Sequence, residues 1–385
     1  MITTDQLKNI AEQLKQTHLD VLKKYKVEKK IFDRQIKINE SVDDFLQSIG
    51  NIDNFSKEEQ ISILAKLCAK FRNAHLYLSV INKEQDYKKS RMLNKHIIFL
   101  NNKVYLKTEK GFAEVKKIGG VEVDKLVNQI TEYISYETNE WLNYKLNNEL
   151  NFIQSYIRIG VNPNSAELVN GTNIKLGQTE NIAIHRNHFP PFDFNLDKPF
   201  DYELIKDTSI IKINYRTCNK KNKEYFFRFV ENVKEVIEKE KINYYIVDVR
   251  NNTGGNSELI CPLYTLFKDK NMKGCILTNN SVFSSGIFAV YYAKKTLGAT
   301  IIGQPLGQGN SKFGQSSGIL QVSDEISIHF TEKYINQFAE VFKCEGAIQP
   351  DIYVPLTLED IQAKRDATLS KAIDFIKKNI HQQEF

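Results

Sequence analysis

YYIVDVRNNTGGNS, residues 244–257, sets the architecture of the C-terminal half. It opens as a short apolar run and ends in a polar loop, as a strand buried on both faces does. The loop carries Gly254–Gly255, where the backbone can turn so that its amides point outward. Upstream, SIIKINY (209–215) reads as a second strand. Residues 223–240 read as a helix with Phe226, Phe229, Val230, Val233 and Ile237 on one face. Downstream come a helix over 257–267, a strand over 275–278, a helix over 284–297 and a strand over 299–303. Strands alternating with helices predict βα units on a mostly parallel sheet. GILQV (318–322) and ISIHF (326–330) alternate and predict a hairpin at the edge of that sheet. A helix over 358–378, begun by Thr357 and Asp360 as a capping pair, closes the chain.

Residues 1 to about 75 read as helical. Leu7, Ile10, Leu14 and Leu22 recur at helical spacing, and Ile61, Leu64, Ala65 and Leu67–Cys68 share one side of a second helix. From 76 to 120 the period shortens, and LYLSV, HIIFL, KVYLK and FAEVKKI predict strands. Helices over 122–134 and 138–158 follow, then a turn-rich section with NPNS, NGTN and HFPPFDF. The expected class is α/β, α+β overall. A chain of 385 residues has room for two or three domains. They are expected at 1–80 (helical), 81–205 (a β-containing insert and linker) and 206–385 (the βα domain).

The chain carries 41% hydrophobic and 26% charged residues, ordinary for a protein that buries a core. The net charge of +6 comes from 53 basic and 47 acidic residues. Lysines such as Lys234, Lys239 and Lys241 are interleaved with glutamates and form no basic stripe, which argues against a nucleic-acid partner. MITTDQLKNIAEQLKQTHLD lacks the apolar core of a signal peptide, and no run approaches the ~18 apolar residues of a membrane span. Cys68, Cys218, Cys261, Cys275 and Cys344 are odd in number and lack metal spacing, so reduced thiols in a cytoplasmic protein are expected. A mature exported form would leave the same trace. HExxH, P-loop, GxGxxG and GxSxG patterns are absent. The His185/His188 pair sits beside NHFPP, a loop sequence rather than a helix face, which disfavours a metal site. No cofactor or metal is expected.

Three segments bear chemistry. The Gly254–Gly255 loop precedes a helix, where outward amides can stabilise an oxyanion or hold a phosphate, or can simply form a βα turn. In NNSVFSSGIFAVYYA (279–293), Ser284, Ser285 and Gly286 head an apolar helix. A serine there is a cap, or a nucleophile whose following amide faces the developing negative charge. In FRNAHLYLS (71–79), His75 stands where a helix yields to a strand. It is a structural histidine, or a base for a hydroxyl proton near neutral pH.

Taken in order, these segments resemble the C-terminal processing (tail-specific) peptidase family. YYIVDVRNNTGGNS is similar to the family's D-L-R-x-N-x-G-G loop. FSSGIFAVYYAKKTLGATIIGQPLGQG (283–309) is similar to its nucleophile helix and the G-E-P-x-G-G strand end, and GAIQPDIYVPLTLEDI (346–361) to its G-I-x-P-D-I-x-V close. The resemblance implies a ClpP/crotonase-like βα catalytic domain and a peptide or protein substrate. It leaves a homo-oligomer open. Alignment on Gly303 implies Ser284 as the nucleophile, with Ser285 the alternative. The backbone N–H of Ser285 and that of Gly254 or Gly255 would form the oxyanion hole. RNAHL is similar to the D-G-H-T turn of members with a Ser–His–Glu site, implying His75 as base and Glu345, or next Glu340, as its orienting acid. Members with a Ser–Lys pair would instead use Lys312. KKIGGVEVDKLVNQITEYI (116–134) resembles part of a PDZ-like domain, so a reduced or divergent one is expected in the insert, recognising an extended peptide by strand addition. Asn73, Leu76 and Ile287 depart from the family pattern and motivate an alternative: a catalytically inactive peptide-binding protein on a degenerate scaffold. Acyl-CoA chemistry on the related crotonase fold is a third reading, opposed by the paired serines.

Overall fold

The computed structural model describes residues 2–80, 91–180, 189–192 and 198–383. They fall into two compact units. The first takes Met1–His185 and Ser311–Asn336, and the second Arg186–Asn310 and Gln337–Phe385. The His185/His188 pair lies outside the described residues. Among the described residues no helix is long and apolar enough to cross a membrane.

The second unit is built on a six-stranded sheet in the order Phe200–Leu204, Ile210–Tyr215, Tyr244–Asp248, Lys273–Thr278, Thr300–Gly303 and Ile352–Tyr353. The first pair is antiparallel and the rest are parallel. Tyr245 to Asp248 are all buried, as a central parallel strand requires. Ile210, Ile246, Leu277 and Ile302 form a core with Ala372 and Ile376 of helix Ala367–Gln383. Helices Lys223–Lys239, Cys261–Asp269 and Ser285–Leu297 complete the βα pattern. The mixed α/β class read from the sequence is the observed one.

Two helices of this unit differ from expectation. The one expected over 257–267 begins at Cys261, because Pro262 fits the first turn of a helix and not its interior. The closing helix is two, Leu358–Ala363 and Ala367–Gln383. Thr357 caps the first as expected, its side chain accepting from the Asp360 N–H. The break falls at Lys364, in the left-handed region at φ 50°. It frees Asp366 to accept the Leu369 N–H at 3.0 Å and start the second helix.

In the first unit, helices Thr4–Lys24, Lys29–Ile49 and Lys57–Lys70 make the expected helical region. Capping boxes Thr3/Gln6 and Ser56/Glu59 start the first and third. Their apolar faces, including Leu7, Leu14, Leu64, Leu67 and Phe71, share a core with Ile326 and Ile328. Those two isoleucines correct the position of the hairpin. Its strands, Lys312–Gln321 and Ile326–Ile335, do not extend the parallel sheet. They join Tyr77–Val80 in a separate three-stranded antiparallel sheet. Burial of alternate residues on the helical core offsets the chain excursion.

The first unit also holds an antiparallel sheet in the order Ile97–Leu100, Lys103–Thr108, Gly111–Ile118, Ser165–Leu168 and Asn173–Lys175, with Val121–Glu122 also paired to the third strand. It packs on helix Val123–Thr131 through Leu126 and Ile130. The helix expected over 138–158 is broken into Asn139–Glu149 and Ile153–Arg158. Asn151 occupies the break. Its side chain accepts from the Ile97 N–H and donates to the Ile97 carbonyl, both at 2.8 Å, and so pairs the end of a strand.

Candidate active site

The second unit brings Ser284, Ser285, Gly254 and Gly255 together. Ser284 is the residue before helix Ser285–Leu297, at φ 52° and ψ −119°. A side chain strains that conformation, at a cost of about 1–3 kcal/mol, and it persists only when its surroundings over-determine it. They do so here. The Ser284 N–H donates to the Gln308 Oε1 at 2.8 Å, and Gln308 is fully buried. On the other side lies Gly254, at φ 113°. A Cβ there would fall 2.8 Å from the Ser284 Cβ and 2.9 Å from the Ser285 nitrogen.

The two serines have different fates. The Ser285 hydroxyl donates to the Gly255 carbonyl at 2.7 Å and bonds the Ser257 hydroxyl at 3.0 Å. Ser285 thereby braces the glycine loop against the helix start. Asn252, also fully buried, holds the same loop from within. Its Oδ1 accepts the Gly254 N–H at 3.0 Å, and its Nδ2 donates to the Tyr215 carbonyl at 3.1 Å. The Gly254 amide is thus engaged. Among the described residues, the N–H groups of Ser285 and Gly255 have no acceptor. Ser285 is the first residue of its helix, where the partial positive charge of the macrodipole lies.

The first unit brings His75 and Lys312 together. His75 follows the third helix in a buried turn. Its N–H donates to the Asn73 Oδ1 at 3.0 Å, and its carbonyl accepts the Ser316 hydroxyl at 2.6 Å. Burial, then the charge of Lys312, lower its pKa to about 3, against a hydrogen bond to the Phe313 backbone. Lys312 is 2% exposed, and burial lowers it to about 7 against the opposing charge of Glu137. Glu137 also accepts the Ala74 N–H at 3.3 Å. Sequence reasoning missed Glu137, Gln308, Asn252 and Ser257.

The two candidate acids lie in the second unit. Glu340 is engaged with Tyr291 and, at 2.6 Å, with Lys295, both on helix Ser285–Leu297. Glu345 is exposed, in the loop before Ile352–Tyr353.

No protein-family model matches the chain, and no curated protein matches it. Solved structures do. Mature CPAF is 12% identical with a TM-score of 0.58, covering 98% of this chain and 98% of that one. Mature CPAF complexed with lactacystin is 12% identical with a TM-score of 0.57, covering 98% and 99%. The photosystem II D1 C-terminal processing protease is 12% identical with a TM-score of 0.42, covering 86% and 90%. The strained serine, the glycine loop and the βα sheet that carries them therefore stand in a chain that shares its fold with mature CPAF.

Proposed function

We propose that this chain is a serine peptidase acting through an acyl-enzyme, with Ser284 as nucleophile and His75 as general base. The Ser284 backbone carries the proposal. A non-glycine residue held at φ 52° before a helix, with its neighbour's hydroxyl already committed, is a costly arrangement that a mere helix cap does not need. The fold shared with mature CPAF is consistent with it.

In the proposed step, Ser284 Oγ attacks a peptide carbonyl carbon while His75 takes its proton. The C–N bond breaks, that proton leaves with the amine, and water then releases the acyl group. The Ser285 N–H is one oxyanion donor. Gly255 is preferred over Gly254 as the other, because the Gly254 amide already serves Asn252. Glu345 is the orienting acid of this reading, since Glu340 is committed to Lys295. Labelling by a fluorophosphonate probe, lost on Ser284→Ala, is the expected result. Full labelling of Ser284→Ala would remove the nucleophile assignment, and no labelling of the parent would favour the inactive peptide-binding scaffold.

Gly254→Ala tests the loop. The added Cβ enters the space of Ser284 and Ser285 at a φ that disfavours any side chain. We expect kcat to fall about 100-fold or more, as when one oxyanion donor is lost, with the folded state retained by circular dichroism.

A second base deserves a place because Lys312 is buried and its pKa is lowered. The pH profile of kcat/KM separates the two. A base works deprotonated, so the rate falls as pH drops through its pKa. With His75 as base, the acid limb lies far below the ~6.5 of an ordinary imidazole, toward the value of about 3 set by burial. With Lys312 as base, it lies near 7. An acid limb near 7 that disappears in Lys312→Met would transfer the role to lysine.

A further inference from the structure

We propose that His18, on the first helix, is a positioning residue that fixes the Asn73–His75 turn by accepting a hydrogen bond on its Nε2. The inference rests on the reading of His75 as the base.

The argument is a donor-and-acceptor account. The main-chain N–H of His75 can only donate, so the Asn73 side-chain atom 3.0 Å from it is Oδ1. The other end of that amide is therefore Nδ2. It lies 3.2 Å from the Thr331 Oγ1 and 2.9 Å from the His18 Nε2. Nδ2 carries hydrogens and no lone pair to accept with. The His18 Nε2 must then be bare, and the ring proton sits on Nδ1.

Asn73 is fully buried and His18 is 1% exposed. The ring lies 5.1 Å from Phe71 and 4.6 Å from Phe313 between centroids. Burial lowers the His18 pKa to about 4, so the ring is neutral at neutral pH. The Nδ1 has no hydrogen-bond partner among the described residues. A phenylalanine would fill the same space between two aromatic rings without burying that unmatched donor. The histidine gains only one thing there, the acceptor that orients Asn73. Asn73 in turn sets the backbone of the base two residues on. A proton on the His18 Nε2 would oppose the Asn73 NH2, and turning the amide to suit it would break the bond to His75.

The experiment uses the full chain. His18→Phe keeps the ring volume and removes the acceptor, while His18→Gln can supply Oε1 in place of Nε2. The expected result is a kcat about 10–100-fold lower for His18→Phe with KM unchanged, the range expected for a misplaced catalytic group. His18→Gln should recover most of it. Nitrogen-15 spectra of Ser284→Ala should show the His18 ring protonated at Nδ1 only, a reading that needs no His18 variant to fold. Undiminished kcat in His18→Phe while His75→Ala is inactive, or a proton found on His18 Nε2, would overturn the proposal and spare the base assignment. Full activity of His75→Ala would instead defeat the base assignment itself.

Discussion

Ser284→Ala should lower hydrolysis of casein or a peptide library by about 10⁴-fold or more, the scale seen when a nucleophile is removed from a unit that acts together. The fold should survive, because the Ser284 backbone is held by its N–H to Gln308 and not by a side-chain cap. Ser284→Gly makes the sharper test. Glycine tolerates φ 52° without strain, so relief of about 1–3 kcal/mol is set against roughly 0.5–1 kcal/mol of extra chain entropy. We expect Ser284→Gly to be as inactive as the alanine variant and more stable than the parent in urea unfolding, by about 1 kcal/mol. An equally unstable or less stable Ser284→Gly would show that the serine is not strained for the sake of its position. A gain in stability with retained activity would remove Ser284 from the chemistry.

Arg250→Met should cost about 3–5 kcal/mol of folding stability, because it strands a buried carboxylate. Arg250 is 1% exposed and Asp248 is fully buried. The guanidinium forks onto Asp248 with Nε at 2.9 Å and Nη2 at 2.7 Å, and onto Asp366 with Nη1 at 2.8 Å and Nη2 at 2.7 Å. Burial alone would raise the Asp248 pKa. Arg250 first, then Arg216 and Lys212, overcome that and hold it at about 2. The stabilisation is therefore present above the unfolded value of 3.8 and is lost as pH falls through about 2. Urea unfolding at neutral pH measures the loss. Arg250→Lys should not restore the parent value, since a single ammonium cannot make both forks. A loss under about 1 kcal/mol for Arg250→Met would mean that water or a neighbouring cation replaces the arginine.

The central strands were legible because burial on both faces leaves continuous apolar runs, as in residues 245–247 and 275–277. The hairpin was legible as a hairpin and misplaced as to sheet. Alternation fixes which face of Ile326–Ile335 is buried, and it says nothing of which strand lies alongside. The breaks at Asn151 and Lys364 were hidden for another reason. Helical periodicity continues across them, and only a long-range partner, the Ile97 backbone in one case, makes the interruption favourable. At the candidate site, the strand-end loops could be read from glycine and serine placement. The groups that brace them could not. Gln308 and Asn252 are buried polar side chains whose partners come from other segments, and a buried polar residue leaves no periodic mark. Lys312 and His75 lie far apart in the chain, and the register Lys312↔Ile335 belongs to a sheet that was expected elsewhere.

The hairpin of residues 312–335 also bears on synthesis. The Ser316 hydroxyl that holds the His75 carbonyl is 241 residues downstream of it. Ile326 and Ile328, which close the core of the first helices, are made later still. During translation the N-terminal helices therefore emerge with an apolar face whose cover does not yet exist, and the strands from Phe200–Leu204 to Thr300–Gly303 leave the ribosome before that cover does. The first unit is therefore closed by residues made after most of the second unit's chain, and the second unit's own core waits longer still, for Ala372 and Ile376.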